Sequence, residues 1–196
     1  LSNFLAIDPY NKRGHLIKEV PTYICPIIHL PDSFSLYIHS LSKSFRKKIR
    51  WEINSARKKG ISVSFELTSK STENTSDSQN RLFNLHGRRI SEKNQSTKFI
   101  TKSNIKFHQL LLNKYKINAM FSEAWSKRKC IGSMYGFIYG DSYYYFNSGF
   151  KTNFNKIGIG SLLLSHTIKH LIEQGINTFD FLRGTERYKY HWTKNQ

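Results

Sequence analysis

The sequence predicts an α+β domain with a mixed, mostly antiparallel central sheet flanked by helices. Three observations carry this expectation. Strand candidates at Ala119 to Trp125, Cys130 to Tyr139 and Tyr143 to Gly149 follow one another across short turns, which is an antiparallel meander. A glycine loop, an apolar helix and a further strand candidate come directly after it, so the last strand returns by a crossover. Upstream, an amphipathic helix runs into a segment of strict period two. At 196 residues the chain suits one domain.

Taken in order, residues 1–31 contain all four prolines and no sustained period, and they read as an arm of loops and short extended pieces. The domain proper is expected over 32–196. Pro31-Asp32-Ser33 offers a helix start, with Phe34, Tyr37, Ile38 and Leu41 following at helical spacing. A second helix follows Ser42 or Ser44, because Phe45, Ile49, Ile53 and Ala56 line one face and Gly60 stands at the cap position. Its other faces hold Lys43, Arg46, Lys47, Lys48, Arg50, Arg57, Lys58 and Lys59, opposed only by Glu52. This basic helix is either a solvated face or a polyanion contact.

Ile61 to Leu67 alternates apolar with polar residues and predicts a half-buried strand. Thr68 to Gln79, rich in serine, threonine and acid, reads as an exposed loop. A helix over Asn80 to Ile90, a polar loop over Ser91 to Lys98, and a helix carrying Phe107, Leu110, Leu111, Leu112 and Tyr115 lead into the meander. After it come the loop Asn155 to Gly160, a helix running to about Gln174 and capped by Gly175, and a strand at Asn177 to Leu182.

Lysine and arginine outnumber aspartate and glutamate 31 to 13, a formal charge of +18 that favours encounters with polyanions. Twenty-five phenylalanines and tyrosines rule out a disordered basic tail. Cys25 and Cys130 are too few for a disulfide framework or a zinc site, and reduced thiols place the chain in the cytoplasm. No apolar run reaches the roughly 20 residues of a membrane span. No metal is expected, and no serine has the flanking glycines of a hydrolase nucleophile.

Asn155-Lys156-Ile157-Gly158-Ile159-Gly160, opening onto Ser161, is the stretch most suited to chemistry. Two glycines free the backbone to turn its amides outward, and the helix after them adds the positive end of its dipole. That is an anion socket. Phe179 to Gly184 and Thr185 to Trp192 then place charged and phenolic groups after a strand end, where sites of such sheets gather.

Leu30 to Phe34 with Ser42 to Arg50, the meander, Gly158 to Leu163, and Phe179-Asp180-Phe181-Leu182-Arg183-Gly184 with Tyr188-Lys189 together resemble GNAT-type N-acyltransferases. The resemblance is to the CelD/BcsL-like branch related to the Fem aminoacyl transferases, and covers about residues 24 to 193. It implies a GNAT-like sheet, acyl-coenzyme A as co-substrate, and a preceding half of the same kind. It also implies that Asn155 to Ser161 hold the pyrophosphate, while Asn147, Ser148 and Gly149 pair with the pantetheine arm. Asn155 departs from the family, which has Arg or Gln there.

Acyl transfer from a thioester to an amine needs a neutral nucleophile, a donor to the developing oxyanion and a proton for the thiolate. A phenol suits the last role, which points to Tyr188 as the acid. Asp180 or Glu186 serves as base or substrate anchor, and Arg183 and Lys189 as anion contacts. Each also has a structural alternative: Asp180 as a backbone acceptor at a strand end, Tyr188 as a half-buried core residue. The leading expectation is an N-acyltransferase acting on an amine, an amino sugar or a peptide in envelope or polysaccharide metabolism. The alternatives are a Fem-like enzyme taking aminoacyl-tRNA through the Lys43 to Lys59 helix, and a silent GNAT-like module binding nucleic acid or protein.

Overall fold

Serines open the first two helices. Ser33 Oγ accepts the Leu36 amide at the head of α1 (Phe34–Ser40), and Ser42 Oγ accepts that of Phe45 at the head of α2 (Lys43–Lys58). Each side chain satisfies an amide that the helix cannot reach. The structure, a computed structural model, describes residues 23–69, 75–115, 117–154 and 156–193. Residues 1–22 of the expected arm lie outside the described residues, and its end holds the strand β1 (Ile27–His29).

The other strands are β2 (Ile61–Leu67), β3 (Ala119–Ser126), β4 (Lys129–Tyr139), β5 (Ser142–Phe150) and β6 (Thr178–Asp180). They form one sheet in the order β1-β6-β5-β4-β3-β2, antiparallel at every pair except β5 with β6. The parallel pair is joined by α5 (Ile159–Glu173), the crossover expected between the glycine loop and the last strand. With α3 (Ser76–Glu92) and α4 (Lys102–Asn113), this is the GNAT-like fold.

Strand alternation sorts the helices onto two faces. Phe45, Ile49, Leu163 and Ile168 of α2 and α5 share a core with Met120, Met134, Tyr143 and Phe179. Leu82, Phe83 and Leu112 of α3 and α4 share another with Phe121 and Tyr135. Arg81 ties α3 to the sheet through a two-pronged ion pair with Glu123, at 2.8 and 2.9 Å.

Three elements differ from the sequence reading. The expected loop Thr68 to Gln79 ends early, because α3 begins at Ser76; Ser78 and Gln79 are buried, and Gln79 Nε2 donates to the His108 carbonyl at 3.0 Å. Polar residues enter the core here because β2 and α4 supply their partners, Glu66 for Ser78 and the His108 carbonyl for Gln79. The last strand stops at Asp180: Leu182 has φ +55°, and Asp180 Oδ1 accepts the Leu182 amide at 2.6 Å. Glu52, expected among the exposed charges of α2, is only 3% exposed. Its spacing from Ile49 and Ala56 puts it on the apolar stripe.

One consequence of this topology shapes the site. β6 pairs with β5 only across Ser142 to Tyr144, so Tyr145 to Phe150 extend past the end of β6. On its other side β5 carries a bulge: Tyr135 faces Asn147 and Gly136 faces Tyr145, leaving Phe146 without a register partner. A bulge bends the strand and re-aims its side chains. The sheet is thereby open between β5 and β6.

Candidate active site

A cavity lies on each face of the sheet beside this gap. One, of about 340 Å³, is walled by the glycine loop and first turn of α5, by Phe150, and by Arg89 of α3. The other, of about 630 Å³, is walled by Asn147 of β5, by His108 of α4 and by the segment Leu182 to Lys189. Tyr145 and Tyr188 line both. The two phenols therefore stand where the cavities meet.

Tyr145 reaches Ser148 Oγ at 2.8 Å, and the Tyr188 hydroxyl lies against that of Tyr145. Burial first, then the neighbouring Tyr145, pushes the Tyr188 hydroxyl well above the usual phenol range. Burial raises Tyr145 as well. Both remain protonated at physiological pH, and a protonated phenol can donate a hydrogen bond.

The wall of the smaller cavity suits an anionic, elongated ligand. Gly158 has φ +71° and no Cβ, and the amides at the head of α5 have no partner within the helix. Lys48, Arg89 and Lys151 also line it. Phosphate groups could therefore be held by the residues 158 to 161 and by these cations, while the apolar remainder of the cavity takes an arm leading to Tyr145. Among the described residues no His, Cys, Asp or Glu group could hold a metal ion.

Glu52 abuts the loop from behind. A methyl built on Gly158 would lie 2.1 Å from Glu52 Oε1, while Oε2 is buried with no hydrogen-bond partner. Burial lifts this carboxyl to about 7, against the pull of Lys48 at 3.8 Å and of the Ser161 hydroxyl. The folded chain thus holds a proton that the unfolded chain releases near 4.5. The stabilisation is complete below that value and lost as pH rises through about 7. Glu52→Gln is expected to flatten this profile, and to exceed the parent in stability at pH 8 by on the order of 2 kcal/mol. Urea unfolding of both proteins at pH 5 and pH 8 measures it.

The residues singled out in the sequence distribute unevenly. Gly158, Ile159, Gly160, Ser161 and Ser148 line the smaller cavity, and Asn147, Arg183, Glu186 and Lys189 the larger. Asn155 lies outside the described residues. Lys156 is exposed, Ile157 is buried at 2% exposure, and neither lines a cavity. Gly149 lies beneath the backbone of α3, not on a cavity wall.

Asp180 lines neither cavity, and one of its oxygens is taken by the Leu182 amide, the structural role open to a strand-end carboxylate. Lys189 is 3% exposed, and its ammonium donates to the Arg183 carbonyl at 3.0 Å and pairs with Glu186 at 2.9 Å. Burial raises the Glu186 carboxyl, but the bond to Lys189, its own backbone amide and the Lys189 charge together outweigh it and hold the group below the ordinary range. That makes Glu186 a better anchor for a cation than a base.

Four groups at or beside the cavities were not named as site candidates from the sequence: Glu52, His86, Arg89 and Tyr145. His86 donates Nδ1–H to the Ser148 carbonyl at 2.9 Å, since a carbonyl can only accept, and burial keeps the ring neutral. His86 and Arg89 follow Leu82 at helical spacing, so polar residues on an apolar stripe were the available signal.

Known structures share this fold. FemX matches with a TM-score of 0.66 at 12% identity, over 87% of this chain and 59% of its own. A conserved protein of unknown function from Bacteroides thetaiotaomicron gives 0.61 at 12%, over 87% and 55%. L-PGS from Bacillus licheniformis gives 0.56 at 13%, over 84% and 48%. The chain thus spans about half the length of these proteins. No curated protein matches the sequence. Residues 43–190 match the family model of the acetyltransferase (GNAT) domain, most of the chain, and the chain belongs to that family.

Proposed function

We propose that the chain transfers an acyl group from acyl-coenzyme A to an amine, with the donor in the smaller cavity and the acceptor in the larger. One observation carries this reading: the cavities share Tyr145 and Tyr188, in the opening between β5 and β6. A donor and an acceptor on opposite faces of the sheet would meet there. The amine nitrogen bonds to the thioester carbonyl carbon, the carbon–sulfur bond breaks, and the proton lost by nitrogen is balanced by the one gained by the thiolate. Tyr188 donates a hydrogen bond to the charge on the way, and Glu186 anchors the acceptor's cationic group. The resemblance to CelD/BcsL-like proteins favours an amino sugar of an envelope polysaccharide as acceptor.

Acetyl-coenzyme A incubated with a panel of amino sugars and amines tests this, with acylated product read by mass spectrometry. Tyr188→Phe is expected to slow transfer roughly 100-fold while leaving donor affinity within twofold. No product and no thermal stabilisation at millimolar acyl-coenzyme A would count against the reading.

A second reading has its own observation. Lys43, Lys47, Lys48, Arg50, Arg57 and Lys58 are exposed along α2, whose Phe45 and Lys48 reach the smaller cavity. Such a ridge suits a nucleic acid, and aminoacyl-tRNA would then be the donor. Tight tRNA binding that falls steeply with salt, with indifference to coenzyme A, would favour it.

A further inference from the structure

Arg89 is the guanidinium of the smaller cavity, and it makes no ion pair among the described residues. It sits in the last turn of α3 with its guanidinium 3.6 Å over the ring of Phe150. No carboxylate lies within ion-pair distance of it among the described residues, although Glu92, three residues on in α3, supports its charge from farther off; Arg81, by contrast, is taken by Glu123. Burial is the main influence on the group and works against its charge. A half-buried guanidinium whose N–H groups make no hydrogen bond among the described residues is costly to keep unless something binds it.

Its surroundings fix where that partner comes from. The Phe150 ring that carries Arg89 packs against Gly160 on the far side, where an added methyl would lie 2.9 Å from the ring. Stacking holds the planar fork while leaving its edge free for oxygen atoms. Arg89 therefore stands between the glycine loop and the pair Tyr145 and Tyr188, on the wall where a donor would lie. Asn155, in the same loop, brings no charge of its own.

We propose that Arg89 binds a phosphate group of the donor, by a two-pronged contact of its guanidinium from the α3 side of the smaller cavity. This rests on the reading of acyl-coenzyme A as donor, and extends it to a residue outside the glycine loop. Arg89 positions the donor and takes no part in the proton steps. α3 becomes part of the donor site through this residue, with His86, one turn earlier, bonded to the β5 edge.

Calorimetric titration with coenzyme A and, separately, inorganic pyrophosphate tests the proposal on the full chain. Arg89→Gln is expected to weaken both ligands about tenfold or more, the loss of a charge-assisted bond. Arg89→Lys keeps the charge but not the fork, and is expected to recover only part of the affinity. Lys129→Gln, an equal loss of charge at an exposed position, should leave both within twofold. Unchanged circular dichroism and melting of Arg89→Lys establish that the fold is intact. Parental affinity in Arg89→Gln, or no pyrophosphate binding by the parent, overturns the proposal. Pyrophosphate binding that depends on Arg89, without coenzyme A binding, keeps the proposal and sinks the acyl-coenzyme A reading.

Discussion

Gly158→Val is expected to abolish donor binding and to destabilise the fold by about 2–4 kcal/mol. Two separate costs meet at this position. A β-branched residue at φ +71° places its Cβ against the carbonyl, a region that such side chains rarely enter. That Cβ would also lie 2.1 Å from Glu52 Oε1 and 2.6 Å from its carboxyl carbon, so the buried carboxylate must be pushed aside or the head of α5 must move. A loop backbone that leaves φ +71° re-aims the amides that open α5. Isothermal calorimetry with coenzyme A and urea unfolding measure the two effects. The pair Gly158→Ala and Glu52→Ala separates them, since removing the carboxylate relieves the clash and leaves the backbone strain. Non-additive stability in that double variant is the expected outcome.

Gly149→Ala is expected to cost about 3 kcal/mol or more, the size of a severe overpacking defect. A methyl there would lie 2.2 Å from the amide nitrogen of His86 and 2.6 Å from the carbonyl carbon of Leu85. These are helix backbone atoms and cannot rotate aside. The whole of α3 would have to lift from β5, and Arg89 and His86 would move with it. Loss of coenzyme A affinity alongside the loss of stability is therefore expected. Stability within about 1 kcal/mol of the parent would mean that α3 does not cross β5 so closely.

These two glycines also show how far the sequence could be read. Gly158 was legible as a loop residue, because a glycine between a strand and an apolar helix has a local reason to be there. Gly149 was legible only as a strand end, since its neighbour His86 is over sixty residues away and no local pattern announces a helix crossing. The same distinction runs through the fold. β2 has the bounds that its alternation predicts, and α2 starts at its serine cap, because period and capping are local properties.

Glu52 was misplaced because eight basic neighbours made it look like their counter-charge, whereas its spacing from Ile49 and Ala56 sets its place. The start of α3 was missed because Ser78 and Gln79 are buried through partners outside their own segment, Glu66 and His108. At the site, the glycine loop and Tyr188 could be named from sequence, since both stand beside predicted elements. Arg89 could not, because its place is set by Phe150, over sixty residues away in sequence. The shortness of β6, which opens the sheet, depends on one left-handed residue, Leu182, that no propensity foretells.

The most direct test of donor and acceptor meeting across the sheet is a crystal structure with acetyl-coenzyme A bound. The expected result has the phosphates between residues 158 to 161 and Arg89, and the thioester in hydrogen-bond reach of Tyr188 in the opening between β5 and β6. Coenzyme A bound elsewhere on the surface, or a thioester that does not reach Tyr145 and Tyr188, would contradict it.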